Sequence, residues 1–384
     1  MDRKHYADEH LAFGDAFRAF ADKVIVPGYL DWERAGIMPR DVFQEAGRGG
    51  FLGMAVPEEF GGGGVDDFRF NQILDEQIAA AGITAAGLGI SLHNDTCLPY
   101  FLSFANDEQR KRWLPGIASG ELITAIAMTE PGAGSDLAGL RTSAKRDGDH
   151  YVVNGAKTFI TNGINADLVI TAVKTGGDPG DRRAGMSLLV LERGMPGFER
   201  GRNLDKLGMH SQDTAELSFS DVRVPVENLL GEEGEGFTQL AQKLPQERMS
   251  IAVNGVAEAT SAYNETLQYV QDRSVFGKSV ASFQNTKFVL AEIATEIEVA
   301  QAYVDRCVDR LNDKELSPAD AAKAKLFCTE LQGSVIDRCL QLHGGYGYMT
   351  EYPITRRYAD ARVTRIYGGT SEVMKSVISK SIGL

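Results

Sequence analysis

The 384-residue chain is 43% apolar and 24% charged, the balance of a folded protein with core enough for two or three domains. Its 40 basic and 53 acidic residues leave a net charge of −13, which disfavours nucleic acid as a partner, although a few local Arg or Lys could hold a small phosphorylated ligand. No apolar run nears the roughly 20 residues of a membrane span, and the early acids Asp2, Asp8, Glu9 and Asp15 are unlike a signal or transit peptide.

Cys97, Cys307, Cys328 and Cys339 show neither CxxC nor metal-ligand spacing, so a cytoplasmic, reduced, metal-free protein is expected. In chain order, Leu11, Phe13, Phe17, Phe20 and Val24 share one helical face between His10 and Val26, and Pro27-Gly28 closes that helix. Gly61–Gly64 lacks the Gly-Lys-Ser/Thr of a phosphate loop and reads as a turn. Helical pattern resumes from about Phe68 to Ala105. Asn106-Asp107 then caps a helix through Trp113, which Pro115-Gly116 ends.

From about Ile123 the period changes to that of strands. Tyr151-Val152-Val153 and Lys157 to Thr161 flank Asn154-Gly155, a type I′ hairpin signal. Leu168–Val173, Met186–Leu191, Thr214–Phe219 and Val222–Val224 follow, giving a β region of roughly 110 residues. Helical periodicity returns near Gly236 and persists to the end. Val289, Ile293, Ile297, Ala300, Val304, Cys307 and Leu311 step by three or four, as in an antiparallel bundle.

Several motifs carry little chemistry. No strand leads into a GxGxxG fingerprint, so a Rossmann nicotinamide site is not expected. Asn264-Glu265-Thr266 is a glycosylation sequon inside a helical pattern. His343 could be a base, but a lone histidine is more often structural. The glycine turn Thr129 to Asp136 suits close backbone approach to a ligand or is an ordinary connection, and two more in the helical C-terminal region, Gln341 to Tyr348 and Tyr367 to Glu372, suggest a phosphate-bearing cofactor. Leu240, Leu244, Glu247 and Ile251 share one stripe, so a carboxylate interrupts an apolar face. It is either an acid in the first turn of a helix opened by Pro245, or a base whose pKa its apolar neighbours raise.

With five motifs in order, the chain resembles the acyl-CoA dehydrogenase flavoenzymes over nearly its whole length. They are Ala127 to Asp136, Asn154-Gly155 with Phe159 to Gly163, Arg273 to Lys278, Gln341 to Gly347, and Tyr367 to Glu372. The resemblance implies an α+β fold: an N-terminal α-helical domain (1-122), a middle β-barrel or sandwich domain (123-232) and a C-terminal four-helix bundle (233-384). It also implies FAD and the α,β-dehydrogenation of an acyl-CoA thioester in fatty-acid β-oxidation or related acyl degradation, with electrons passed to an electron-transferring flavoprotein. A homotetramer built as a dimer of dimers would follow, in a cytoplasmic and bacterial protein.

By the same resemblance Ile126, Ala127, Met128, Thr129, Gly134, Ser135, Phe159, Ile160 and Thr161 surround the flavin, with Ser135 also near substrate. Arg273, Phe276, Gln284, Gln341, Leu342, His343, Gly344 and Gly345 hold the adenine and pyrophosphate end, often across a subunit boundary, and Thr370, Ser371 and Glu372 complete that pocket. Most members carry the catalytic glutamate directly after the Tyr of the final motif, where this chain has Gly368. Glu247 matches the position used instead by the long-chain and isovaleryl-CoA branches, and Leu244 to Arg248 looks most like the long-chain branch. Pro245, Gln246 and Arg248 would then line the substrate, while the amide of Gly368 or Gly369 and an FAD ribityl hydroxyl would bond the thioester carbonyl. Gly82, Gly87, Gly89 and Ser91 could leave a deep acyl cavity or permit close helix packing. Isovaleryl, other branched or terpenoid acyl groups are alternative substrates, and a non-catalytic acyl-CoA-binding relative is the alternative outside enzymology.

Overall fold

The structure is a computed structural model that describes residues 3–176, 181 and 183–384. Among them the N-terminal region holds α1 (Asp8–Phe20), α2 (Tyr29–Ala35), α3 (Asp41–Arg48), α4 (Phe68–Ala81), α5 (Thr84–Ser91), α6 (Leu98–Phe104) and α7 (Asp107–Ser119). Phe17, Phe43, Leu74, Ile78 and Ile90 form one core there. A wide π turn at Leu92–Cys97 joins α5 to α6 and re-aims the side chains that follow it.

Asn106 caps α7 as expected, exchanging bonds of 2.9 Å with Gln109. The helix does not stop at Pro115-Gly116, however. It carries Pro115 inside and ends at Gly120, which takes the left-handed φ of 76°. A proline removes only the bond to the carbonyl four residues back, and burial of Trp113, Leu114 and Ile117 outweighs that loss.

Seven strands follow: β1 (Thr124–Ala127), β2 (Ser143–Asp147), β3 (His150–Thr161), β4 (Leu168–Lys174), β5 (Met186–Glu192), β6 (Phe198–Asn203) and β7 (Thr214–Pro225). They form one sheet in the order β1-β4-β2-β3-β7-β6, with β5 on the other edge of β4. The hairpin expected at Asn154-Gly155 is absent. Asp147 pairs with His150, so the turn is Gly148-Asp149, and β3 runs straight through Asn154-Gly155. There the pairing with β7 skips a residue, and a Cβ on Gly155 would lie 2.6 Å from the Thr142 hydroxyl. The extra residue lies on β7, where Ser220 and Asp221, the latter at φ 50°, oppose Asn154 as a bulge, and Gly155 lets β3 pass close to Thr142. Thr214–Phe219 and Val222–Val224 likewise belong to one strand, β7.

The C-terminal region holds α8 (Gly236–Asp272), the two-residue strands β8 (Ser274–Val275) and β9 (Lys278–Ser279), α9 (Gln284–Asn312), α10 (Pro318–His343), α11 (Pro353–Ala361) and α12 (Ser371–Ser381). Helices α8, α9 and α10 bury Val253, Val256, Ile293, Ile297, Val304, Cys328 and Val335 between them, and α12 lies along α10 to complete the bundle. Leu240, near the start of α8, packs instead with Ile170 and Leu188 of the sheet and Phe101 and Trp113. Helix α8 therefore spans from the sheet to the bundle. Among the described residues no helix is long and apolar enough to cross a membrane.

Candidate active site

Helix α8 is 37 residues long and carries Pro245 in its interior, so Glu247 is not in a first turn. The reading of Glu247 as a helix-opening acid is thereby overturned. Its side chain is only 5% exposed, packed where α8 crosses α6. The Tyr100 hydroxyl donates to Glu247 Oε1 at 2.7 Å. Burial raises the carboxyl pKa to about 7, against the lowering by the Tyr100 bond and the Arg248 charge. A carboxylate so tuned can accept a proton near neutral pH.

Arg248 reaches the final glycine turn, its Nε donating to the Gly368 carbonyl at 3.4 Å. Lys325 of α10 donates to the Gly369 carbonyl at 2.6 Å. Burial, then the Arg248 charge, lower the Lys325 pKa to about 8. Both carbonyls of the turn are thus held by cations, while among the described residues neither Gly368 nor Gly369 donates its N–H to a protein acceptor. Two glycines at φ 63° and 97° make this possible, since the left-handed backbone points the two carbonyls at Arg248 and Lys325. The result is a turn with two free amides, tied through Arg248 to the helix that carries the buried carboxylate.

The second part of the site is the loop after β1. Ile126 and Ala127 are buried in β1, Met128 and Thr129 are half-buried, and Gly134 and Ser135 lie exposed on the turn beyond. Glu130 and Ala133 exchange backbone bonds of 2.8 and 3.1 Å across that turn. Lys157 of β3 is fully buried and donates to Glu130 at 2.9 Å and to the Met128 carbonyl at 3.0 Å. Thr158 N–H donates to the Thr129 carbonyl at 2.9 Å. These bonds bring Ile126–Thr129 against Phe159, Ile160 and Thr161, where β3 leaves its register with β7. Phe159 takes φ 60° and is 67% exposed, an outlier for a bulky residue. Cys97 links the two parts: burial raises its thiol pKa, its side chain bonds Thr124 of β1, and it feels the charge of Glu247.

A cavity of about 580 Å³ lies at the far end of α8 and α10, lined by Arg273, Gln341, Leu342, His343, Gly344 and Gly345 together with Tyr269 and Tyr346. A Cβ on Gly344 or Gly345 would meet nothing within 4 Å. His343 stacks on Tyr269 with ring centroids 4.1 Å apart, bonds Thr266 at 3.2 Å and leaves its buried Nδ1 without a partner. The other residues expected there are elsewhere. Phe276, 94% exposed, tips the β8–β9 hairpin at φ 51°, and Gln284 opens α9. Thr370 caps α12, Ser371 donates to Glu330 at 2.7 Å, and Glu372 is exposed. Pro245 and Gln246 line a separate cavity of about 520 Å³ between α4, α6 and α8, with Gln246 donating to the Asp95 carbonyl at 3.1 Å.

The small residues of α5 pack closely. A Cβ on Gly87 would lie 2.3 Å from Ile78, one on Gly89 would lie 2.7 Å from Gln212, and Gly82 ends α4 at φ 70°. Ser91 bonds Asp75. Smallness at Gly87 serves the packing of α5 on α4, and at Gly89 it serves close approach of Gln212 and Asn162.

Comparison with known proteins decides the family. Residues 7–121, 125–222 and 234–383 match the N-terminal, middle and C-terminal domains of acyl-CoA dehydrogenases. The chain is similar to the mitochondrial long-chain specific acyl-CoA dehydrogenase of Sus scrofa, 46% identical over 99% of this chain and 88% of that protein. The chain belongs to the acyl-CoA dehydrogenase family. The solved acyl-CoA dehydrogenase of Geobacillus kaustophilus superposes with a TM-score of 0.97 at 48% identity, over 99% of this chain and 100% of that one. The glutaryl-CoA dehydrogenase of Mycobacterium smegmatis in complex with FADH2 does so with 0.92 at 25% identity, covering 99% and 96%. Acyl-CoA dehydrogenases are FAD-dependent oxidoreductases, and this chain is one by family.

Sequence reasoning missed Lys157, Tyr100 and Lys325. Lys157 alone left a signal, a cation between Ala156 and Thr158 at an inward position of a strand. Tyr100 sits in an apolar helix and Lys325 among the ordinary charges of α10, and their partners are 147 and 44 residues away.

Proposed function

We propose that the protein removes the α-proton and β-hydride of an acyl-CoA thioester, yielding the trans-2-enoyl-CoA, with Glu247 as the base. The observation that carries this is a buried carboxyl tuned to about pH 7, whose neighbour in the helix, Arg248, is bonded to a glycine turn with two unbonded amides among the described residues. FAD fits the residues present. The loop after β1 exposes Gly134 and Ser135 and the edge of β3 exposes Phe159, while the open glycines permit close approach of a ligand and the orphaned His343 nitrogen suits a polar contact such as adenine offers. When bound, FAD supplies the two-electron acceptor for the β-hydride. Ser135, Pro245, Gln246 and Arg248 then belong to the substrate side, and Phe276, Gln284 and Thr370 to Glu372 to cofactor contacts completed by a second copy of the chain.

In this mechanism the amides of Gly368 and Gly369 take the developing negative charge of the thioester oxygen, which acidifies the α-carbon. Preorganised donors of this kind contribute about 3–4 kcal/mol each. Arg248 holds the Gly368 carbonyl, and with it the Gly369 N–H of the same peptide plane, so that this amide need not reorganise, while Lys325 anchors the following peptide. Glu247 accepts the proton, and its burial raises its basicity at the cost of being only about half ionised near pH 7.

The 46% identity to a long-chain specific enzyme favours a long- or branched-chain acyl group and β-oxidation. An electron-transferring flavoprotein as acceptor, a homotetramer, cytoplasmic residence and domains at 1-122, 123-232 and 233-384 complete the reading. A panel of straight, branched and cyclic acyl-CoAs scored by anaerobic flavin bleaching tests it. At least one should bleach the wild-type protein and none should bleach Glu247→Gln; a flavin-loaded wild type inert to every thioester would refute it.

A further inference from the structure

We propose that Tyr100 is the positioning residue of the base, its hydroxyl holding the Glu247 carboxylate ionised and in one orientation. This rests on the reading of Glu247 as the base. The donor is wholly buried and 2.7 Å from Oε1. Among the described residues the Tyr100 hydroxyl has no other hydrogen-bond partner, and Glu247 no other donor. The phenol reaches α8 because α6 starts directly from the π turn at Leu92–Cys97, with Pro99 in its first turn, and because the ring packs on Phe104 at 6.1 Å.

The groups that face Glu247 are few: Tyr100 from α6, Cys97 from the π turn and Arg248 from α8. Arg248 is spent on the Gly368 carbonyl. Cys97 keeps its proton, since burial and the Glu247 charge both raise its pKa. Among the described residues that leaves the phenol as the one group that stabilises the carboxylate by a direct bond. A tyrosine also suits the reaction cycle, because it donates to the ionised acid before proton transfer and can accept from the protonated acid after it.

The test compares Tyr100→Phe with the wild-type holoenzyme. Loss of a charged hydrogen bond of ordinary strength moves the carboxyl pKa up by about one to two units. The acid limb of kcat/KM should shift by that amount, with kcat recovering at high pH. Infrared titration of the substrate-free holoenzyme, with Glu247→Gln as the subtraction, should show the same shift in the carboxyl band. An unmoved limb and band would overturn the proposal and leave Glu247 as base. A Glu247→Gln protein that turns over would instead overturn the base itself.

A second measurement needs no Tyr100 variant. In the wild-type minus Glu247→Gln infrared difference, one tyrosine C–O band should titrate together with the carboxyl band. A carboxyl band titrating without any tyrosine response would refute the proposal.

Discussion

The Lys157 ammonium lies 2.9 Å from a Glu130 carboxylate oxygen in a nearly buried pair, with side chains 0% and 7% exposed. Burial lowers the Lys157 pKa and would raise that of Glu130. Bonds from Thr142, Arg141 and Lys157 more than reverse the latter and leave Glu130 below its usual value. The pair is the clamp between the loop after β1 and the edge of β3. Removing one partner of such a pair strands a buried charge and costs about 3–5 kcal/mol. Lys157→Met should therefore lower the melting temperature and release the Met128–Ala133 loop. Flavin content per chain, read by absorbance after gel filtration, should fall with it.

The glycine turn is as exacting. Gly368 holds φ 63°, and a Cβ there would lie 2.4 Å from Ile251 Cδ1. Gly368→Ala should cost about 1–2 kcal/mol in backbone conformation alone, with a fall in kcat/KM as its amide shifts. Denaturant melts and initial rates would measure the two effects. Ile251→Ala in the same chain should relieve the contact and not the backbone cost.

Burying the base has a signature in stability. The folded-state pKa of Glu247 is raised from 4.5 to about 7, so the folded protein holds the extra proton between those values. Its stability relative to a chain without the acid therefore falls as pH rises from about 4.5 to 7 and stays low above. The full effect is roughly 3 kcal/mol. Glu247→Gln should be more stable than wild type at pH 8, with the gap closing toward pH 5. Chemical denaturation at several pH values would show it.

Arg357 of α11 pairs with buried Glu258 of α8, bonds Glu265 at 2.7 Å and donates to the Ala79 carbonyl of α4 at 3.0 Å. It ties the N-terminal helices to the bundle. Arg357→Met leaves Glu258 unpaired and should destabilise by about 3–5 kcal/mol, in a melt that loses both regions together.

How far the sequence could be read depended on whether a signal was local. The bundle periodicity of Val289 to Leu311 and the strand runs were local and proved legible. So was the apolar stripe that Glu247 interrupts. Pro115, Pro245 and Asn154-Gly155 misled because each is a strong local breaker that a longer helix or strand carries within it, held by contacts distant in the chain. The glycines of α5 admitted two readings until Ile78 and Gln212 were seen against them. Tyr100 and Lys325 were invisible, since a buried phenol or ammonium is identified by its distant partner and not by its neighbours in the chain.

The most direct test is single-turnover flavin reduction by a saturating acyl-CoA across pH 5.5 to 8.5. The wild-type rate should rise with a midpoint near pH 7, where Glu247 ionises, and Glu247→Gln should bind FAD and stay oxidised throughout. Reduction of the Glu247→Gln flavin at the wild-type rate would contradict the account.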